Sequence, residues 1–593
     1  MFSFKKCFRF IWTFFKRTIA FLHFIVRLSL KMAFYGLLLA GLAGGVFLYR
    51  NTRKDLPERG ILNIAVEGAI PEEYTFSEQI ISFFPGAFQQ SLFGEHIEAL
   101  WKAVRDPRIA GVFLSFSACG LTFTQAQELR EVLLALRAHH KPVWVHANEL
   151  DTKIYYCASS TTRILQPKEG LCSVTGFVIS APFVKEGLDK LGVDTFSLRR
   201  KEYKNFAEMF TDTESSAATK ETYTNLLGIL KEQLENALSR DGRIAGVRAF
   251  IDNAPYMAEE AQKLGAIDAM CSLNECRKQF KKSLTNSKNA VPHYIGVHRY
   301  LAAANKELSP AVAVIYLNGE ITDLEVDTSG QSITSSMLAS SLRQAGKDEK
   351  VKGIVLRINS PGGSLTRSGV LSSLITTARR KYNKPIVVSM GDVAASGGYW
   401  IAAPADFITA NPATLTGSIG VVMALFSPTE LMKKLGIAWE VFTTHQNAAI
   451  EASAQPLSEH AKARYAALID ASYALFIEHV ARYRKCPIDQ VENVAKGRIW
   501  TGAQAYTHHL VDKMGGLHTA VQEVCRLAKV PEADGTAWQH LTDSGGDPFK
   551  ILQALITGKY KIFLPSLVRA FVLSYRPAHL EVKQKIIENV SCF

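Results

Sequence analysis

Ser396 closes an apolar run inside Gly391-Asp392-Val393-Ala394-Ala395-Ser396-Gly397-Gly398-Tyr399-Trp400. A small, glycine-flanked serine at a strand end suits an acyl-transfer nucleophile. Its hydroxyl can attack a carbonyl, and N–H groups bared by the glycines can face the oxyanion that forms. A second cluster, Ile358-Asn359-Ser360-Pro361-Gly362-Gly363-Ser364, precedes it, and a third, Asn411-Pro412-Ala413-Thr414-Leu415-Thr416-Gly417-Ser418-Ile419-Gly420, follows it. Any one cluster is equally well a turn that lets a helix lie on a sheet. Three in order supply what acyl transfer needs, a nucleophile and exposed amides on successive strand ends.

The elements that must position these residues are legible beside them. Lys384-Pro385-Ile386-Val387-Val388-Ser389-Met390 and Val351 to Leu356 are apolar and of buried-strand type, so the clusters read as strand, tight turn and helix start. The pattern also occurs earlier. Asp106 to Leu114 parallels Asp348 to Leu356, Lys141 to Val145 parallels Lys384 to Val388, and Leu191-Gly192-Val193 parallels Leu435-Gly436-Ile437. Ala261 to Asp268 likewise parallels Ala505 to Asp512, and every offset is about 243 residues. A constant offset implies two copies of one α/β unit. The copies differ where chemistry is expected: Thr152-Lys153-Ile154-Tyr155-Tyr156 stands opposite Ser396-Gly397-Gly398-Tyr399-Trp400, and Cys119-Gly120 opposite the Pro-Gly-Gly turn. Thr152 and Cys157 are expected to serve packing.

Together the clusters resemble the signal peptide peptidase A family, membrane-anchored serine proteases of the superfamily that also holds the Clp protease and the crotonases. The likeness runs from the membrane anchor to about residue 530. It implies that Ser396, in Ala-Ser-Gly-Gly-Tyr, is the nucleophile. Its general base in the family is the lysine of a Tyr-Lys motif followed by Glu-x-Phe, here Tyr203, Lys204, Glu208 and Phe210. This chain departs from the family in having Asn205-Phe206 where Ser-Ala is usual and Met209 where Pro is usual. Gly362, Gly363 and Gly397 match the oxyanion-hole segments, and Ser418 matches a serine that hydrogen-bonds the lysine amine. The implied fold is two tandem Clp protease/crotonase-like α/β repeats preceded by one N-terminal transmembrane helix, with one member of the dyad in each repeat. The implied substrates are cleaved signal peptides and other unfolded apolar peptides, taken without cofactor or metal inside a ring-shaped homotetramer.

A lysine is a base only when neutral. Bringing an amine from about 10.4 to near 7 takes a desolvated site and costs on the order of 4 to 5 kcal/mol of ammonium stability. Phe206, Met209 and Phe210 are the apolar neighbours expected to desolvate it. Without the motif, Lys204 reads as one more surface charge beside Arg199-Arg200-Lys201-Glu202. No histidine has a comparable motif for a Ser/His/Asp triad; His139-His140 and His508-His509 read as surface or helix-end pairs. Two rival readings share these features. A crotonase-like acyl-CoA enzyme would keep the fold and the paired amides but need neither Ser396 nor Lys204, and a non-catalytic membrane scaffold would explain the altered lysine motif.

Residues 33–49 carry no charge and as a helix span about 26 Å, enough for the hydrocarbon core. Lys5, Lys6, Arg9, Lys16, Arg17, Arg27 and Lys31 precede them without an acid, interleaved with Phe and Trp, as befits an amphipathic segment on anionic lipid. A cleavable signal peptide fits less well, because no small-x-small site closes the apolar run. The charge pattern puts the N-terminus in the cytoplasm and the catalytic domains on the far side, and the resemblance implies that the membrane is a bacterial inner membrane and that side the periplasm. Of the net charge of +13, the stretch 1–54 supplies ten positive charges, so the basic balance is a membrane footprint and indicates no nucleic-acid partner. Nine cysteines without a C-x-x-C pair point to no metal and leave disulfides open; the closest are Cys271 and Cys276. The expected organisation is a basic amphipathic segment (1–32), a transmembrane helix (33–49), an α/β repeat with the base (55–280) and a linker (281–309). An α/β repeat with the nucleophile (310–530) and a C-terminal extension (531–593) follow.

Overall fold

The computed structural model describes residues 56–74, 91–118, 120–285, 291–306, 308–322, 332–450 and 456–541, together with Gly36 and Gly41. The expected amphipathic segment, the rest of the membrane helix, Cys119 and the chain beyond 541 lie outside these residues. Among the described residues no helix is long and apolar enough to cross a membrane.

The first sheet runs His293–Gly296, Gly60–Glu67, Ile109–Ser117, Val143–Ala147, Arg163–Gln166, Ala269–Met270, every pair parallel. The second repeats that order with Ala537–Leu541, Pro310–Asn318, Gly353–Ser360, Ile386–Ala395, Phe407–Ala410 and Lys513–Met514. Parallel neighbours need crossover connections, and strands apolar along their length suit sheets covered on both faces. The duplication reaches single hydrogen bonds. Tyr155 OH donates to the Ala266 carbonyl at 3.1 Å and Tyr399 OH to the Leu510 carbonyl at 2.9 Å. Asp268 accepts from Ile164 N at 2.6 Å, and Asp512 accepts from Ile408 N at 2.8 Å. Each sheet also takes a short edge strand from a segment that the sequence reads otherwise, His293–Gly296 from the linker and Ala537–Leu541 from the extension.

The copies share a core. Along Pro310–Asn318 side chains alternate with period two: Val312, Val314 and Tyr316 join Phe93, Ile97 and Leu100 of the first copy, while Ala313, Ile315 and Leu317 face the second copy's own core. Trp101 stacks on His518 with ring centres 3.9 Å apart. Arg357, fully buried, meets Glu72 at 3.0 Å and Glu128 at 2.8 Å, both from the first copy. A charge withdrawn from water persists only when matched in this way. Cys271 and Cys276 form a disulfide at the start of helix Leu273–Leu284.

One further element positions the site. Asp194–Arg200 of the first copy pairs antiparallel with Val421–Ser427 of the second, Arg200 opposite Val421. Its end delivers Lys204 from one copy to the neighbourhood of Ser418 from the other.

Candidate active site

Strand Ile386–Ala395, buried except at the half-buried Asp392 and Val393, leads to Ser396, where φ is 56° and ψ −121°, and helix Gly397–Ala402 starts immediately after. Positive φ is strained for a residue with a Cβ and persists only when its surroundings enforce it. Here the Ser396 N–H donates to the Gly417 carbonyl at 2.9 Å, from the strand Leu415–Gly417 paired alongside. The bend leaves Ser396 Oγ making no cap to its own helix.

Lys204 Nζ lies 3.1 Å from Ser396 Oγ, 2.8 Å from the Ser418 carbonyl and 2.9 Å from Ser418 Oγ. The side chain is 8% exposed, and burial brings its pKa down to about 7. A neutral amine has two N–H bonds and one lone pair. The Ser418 carbonyl takes one N–H and the Ser418 hydroxyl can take the other, which leaves the lone pair for the Ser396 O–H. All three residues belong to one chain.

The residues around Lys204 keep it unpaired. Glu208 is buried and accepts from Arg199 Nη1 at 2.6 Å, Thr219 Oγ1 at 2.8 Å and Ser216 N at 3.2 Å. Asn205 accepts from the same Arg199 nitrogen and donates to Thr219 Oγ1, both at 2.6 Å. Phe206 does not supply the desolvation expected of it. It is 67% exposed and lines the cavity, edge-on to Phe210, which is edge-on to Phe426. The close neighbour of Lys204 is Gly497, φ 79°, where an added Cβ would lie 2.6 Å from Lys204 N and from Lys204 Cβ.

Gly362 and Gly363, φ 107° and 145°, turn against the nucleophile: a Cβ on Gly362 would lie 2.6 Å from Gly397 N and 2.8 Å from Ser396 Cβ. The Gly362 N–H donates to Ser360 Oγ at 3.2 Å. Among the described residues the N–H groups of Gly363 and Gly397 meet no acceptor, and a Cβ on Gly397 would lie 3.2 Å from Gly363 N. The first copy closes the equivalent position. There Asp151 Oδ1 accepts from Lys153 N at 2.9 Å and Ile154 N at 2.7 Å, so a carboxylate fills the place that Gly397 leaves open. Thr152, opposite Ser396, is tied to Gly176 through its hydroxyl.

A cavity of about 1030 Å³ opens onto Ser396 and Lys204, walled by Phe206, Met209, Phe210, Val422 and Phe426. Among the described residues no cluster of His, Cys, Asp and Glu is placed to hold a metal ion. Gly497 and Arg498 are contributions that the motifs did not reveal. The repeat offset carried a signal, since Asn253-Ala254 stands opposite Gly497-Arg498 in the first copy.

The description of peptidase family S49 matches residues 135–287 and 378–531. Protease 4 of Salmonella typhi is 30% identical over 598 residues, covering 96% of this chain and 94% of its own. The chloroplastic serine protease SPPA of Arabidopsis thaliana is 28% identical over 440 residues, 72% of this chain and 65% of its own. Among solved structures, a membrane-bound stomatin-specific protease in complex with a substrate peptide covers 42% of this chain and 99% of its own at 15% identity, with a TM-score of 0.26. The chain belongs to peptidase family S49, the signal peptide peptidase A family, and is a serine peptidase acting on peptides.

Proposed function

We propose that the chain is a membrane-tethered endopeptidase with a Ser396–Lys204 dyad that degrades cleaved signal peptides and other unfolded apolar peptides at the periplasmic face of a bacterial inner membrane. Lys204 takes the Ser396 proton as Oγ attacks a peptide carbonyl. The oxyanion is met by the N–H groups of Gly363 and Gly397, with Gly362 shaping the turn. Lys204 then passes the proton to the leaving amine, and a water activated by the same amine releases the acyl group. Ser418 holds the amine's two N–H bonds away from the nucleophile. The observation that carries this reading is the buried Lys204 Nζ within 3.1 Å of Ser396 Oγ.

The apolar walls of the cavity support an apolar substrate, and the uncharged stretch 33–49 behind a basic segment supports the tether. Repeats over 55–280 and 310–530 each contribute one dyad member. The homotetramer expected from the family finds support in exposed Leu191, Leu435, Trp439 and Phe442, apolar side chains that an assembly would cover.

An alkyl fluorophosphonate, which needs no guess at the substrate, tests the assignment. Mass spectrometry of the detergent-solubilised chain is expected to find the adduct on Ser396. An adduct elsewhere would move the nucleophile from Ser396, and none together with no cleavage of any peptide would remove the dyad. Phe206→Ala is expected to lower kcat/KM for peptides bearing Leu or Phe roughly tenfold, since one large apolar contact is worth roughly 1.5–3 kcal/mol. Peptides of small residues serve as the control, and an equal loss on both sets would deny Phe206 a part in selection.

A further inference from the structure

We infer that Arg498 is a positioning residue for the general base, fixing Lys204 and Ser418 to each other across the two copies; this rests on the Ser/Lys reading above. Arg498 Nη2 donates to Glu221 Oε1 at 2.7 Å and Nη1 to Tyr203 OH at 3.3 Å, while Tyr203 OH donates to Glu221 Oε2 at 3.0 Å. The guanidinium lies 4.7 Å from the centre of the Tyr203 ring and 4.6 Å from that of Trp500. Tyr203 is the residue before Lys204, and Glu221 stands on helix Ala217–Asp241 of the first copy. The side chain thus grips the base's own backbone neighbour.

The main chain of the same segment grips the base's partner. Arg498 O accepts the Ser418 N–H at 2.7 Å, Gly497 N donates to the Ile419 carbonyl at 2.8 Å, and Lys496 O accepts the Tyr203 N–H at 3.2 Å. One stretch of three residues therefore holds Tyr203-Lys204 on one side and Ser418-Ile419 on the other. The dyad is assembled from distant parts of the chain, and this segment acts beside the pairing of Asp194–Arg200 with Val421–Ser427 in holding Lys204 at its distance from Ser418. The neighbouring charges are paired among themselves, Arg199 with Glu208, Lys496 with Glu202 and Lys201 with Glu492, so none of them takes the place of Arg498 on Tyr203 and Glu221. Lysine is no substitute here, because a flat guanidinium fills the slot between two rings and bonds two oxygens at once.

The Arg498–Glu221 pair is partly exposed, with side chains 20% and 47% accessible. Such pairs contribute little to stability, so its loss is expected to leave the fold intact. Arg498→Ala is expected to lower kcat about tenfold or more with KM within about twofold, since misplacing a reacting group by 1 Å can cost roughly 100-fold. The pH midpoint of kcat/KM is expected to rise, because a loosened amine gains water and Glu221 loses the cation that shields it. Arg498→Lys is expected not to restore either value, and Glu221→Gln to lower kcat by less while leaving the pH midpoint at or below the parental value, since it removes a carboxylate and leaves the guanidinium. Parental kcat and pH midpoint in Arg498→Ala, or a change confined to KM or to the melting temperature, would overturn the inference. Loss of fluorophosphonate labelling in Lys204→Met, measured beside it, shows separately whether the Ser/Lys reading stands.

Discussion

Lys204→Met is expected to lower kcat/KM by about 10²- to 10⁴-fold, the range over which a positioned base contributes, and Ser396→Ala to lose still more, because without the nucleophile only oxyanion binding remains. In the parent protein the base is active when neutral. With its pKa brought to about 7 by burial, activity is expected to be low at pH 6, to rise through pH 7 and to level off above pH 8. A kcat/KM flat from pH 5.5 to 8.5 would contradict Lys204 as the base. Stability gives an independent reading with a definite sign. Between about pH 7 and 10.4 the unfolded chain binds a proton at this lysine that the folded chain does not, so the cost of burying the ammonium is full below pH 7 and is relieved as pH rises. That cost is on the order of 4 to 5 kcal/mol. Methionine removes it, at the expense of two donors to Ser418. Lys204→Met is therefore expected to melt higher than the parent at pH 6, with the difference shrinking towards pH 9. A variant that is inactive yet more stable at acid pH is the signature of a lysine held neutral for use.

How much of this was legible in the sequence depends on how local each signal is. Ser396, Gly362, Gly363, Gly397 and Ser418 lie within three short clusters, and the duplicated strand order followed from a fixed offset between apolar runs. Lys204 was legible only through its motif, and the altered flanks have a physical account: Asn205 joins Arg199, Glu208 and Thr219 in one network. What stayed hidden depends on pairing between the copies. Nothing in Asp194–Arg200 announces Val421–Ser427 as its partner, nor Glu72 and Glu128 as the partners of Arg357. His293–Gly296 and Ala537–Leu541 are too short for periodicity to mark them. Phe206 read as a desolvating neighbour because adjacency in sequence does not say which way a side chain turns.

Gly497→Ala is expected to lower kcat roughly 100-fold with little change in KM, because the substitution acts on the distance between the base and the nucleophile. The glycine sits at φ 79°, and an added Cβ would lie 2.6 Å from Lys204 N and Cβ and 2.8 Å from Lys204 Cα. Those are main-chain atoms and the first side-chain carbon, which no rotamer change can move aside. Either the 496–498 segment retreats, taking Ser418 with it, or Lys204 shifts from Ser396. The strain of a Cβ at positive φ, about 1–2 kcal/mol, must be separated from this effect. Gly246 provides the control, since it has φ 71° and open space where its Cβ would go. Gly246→Ala carries similar backbone strain without the collision and is expected to keep parental kcat. Equal losses in the two variants would show that backbone strain, not displacement of Lys204, accounts for the effect; a loss confined to Gly497→Ala identifies this contact between the copies as what sets the dyad distance.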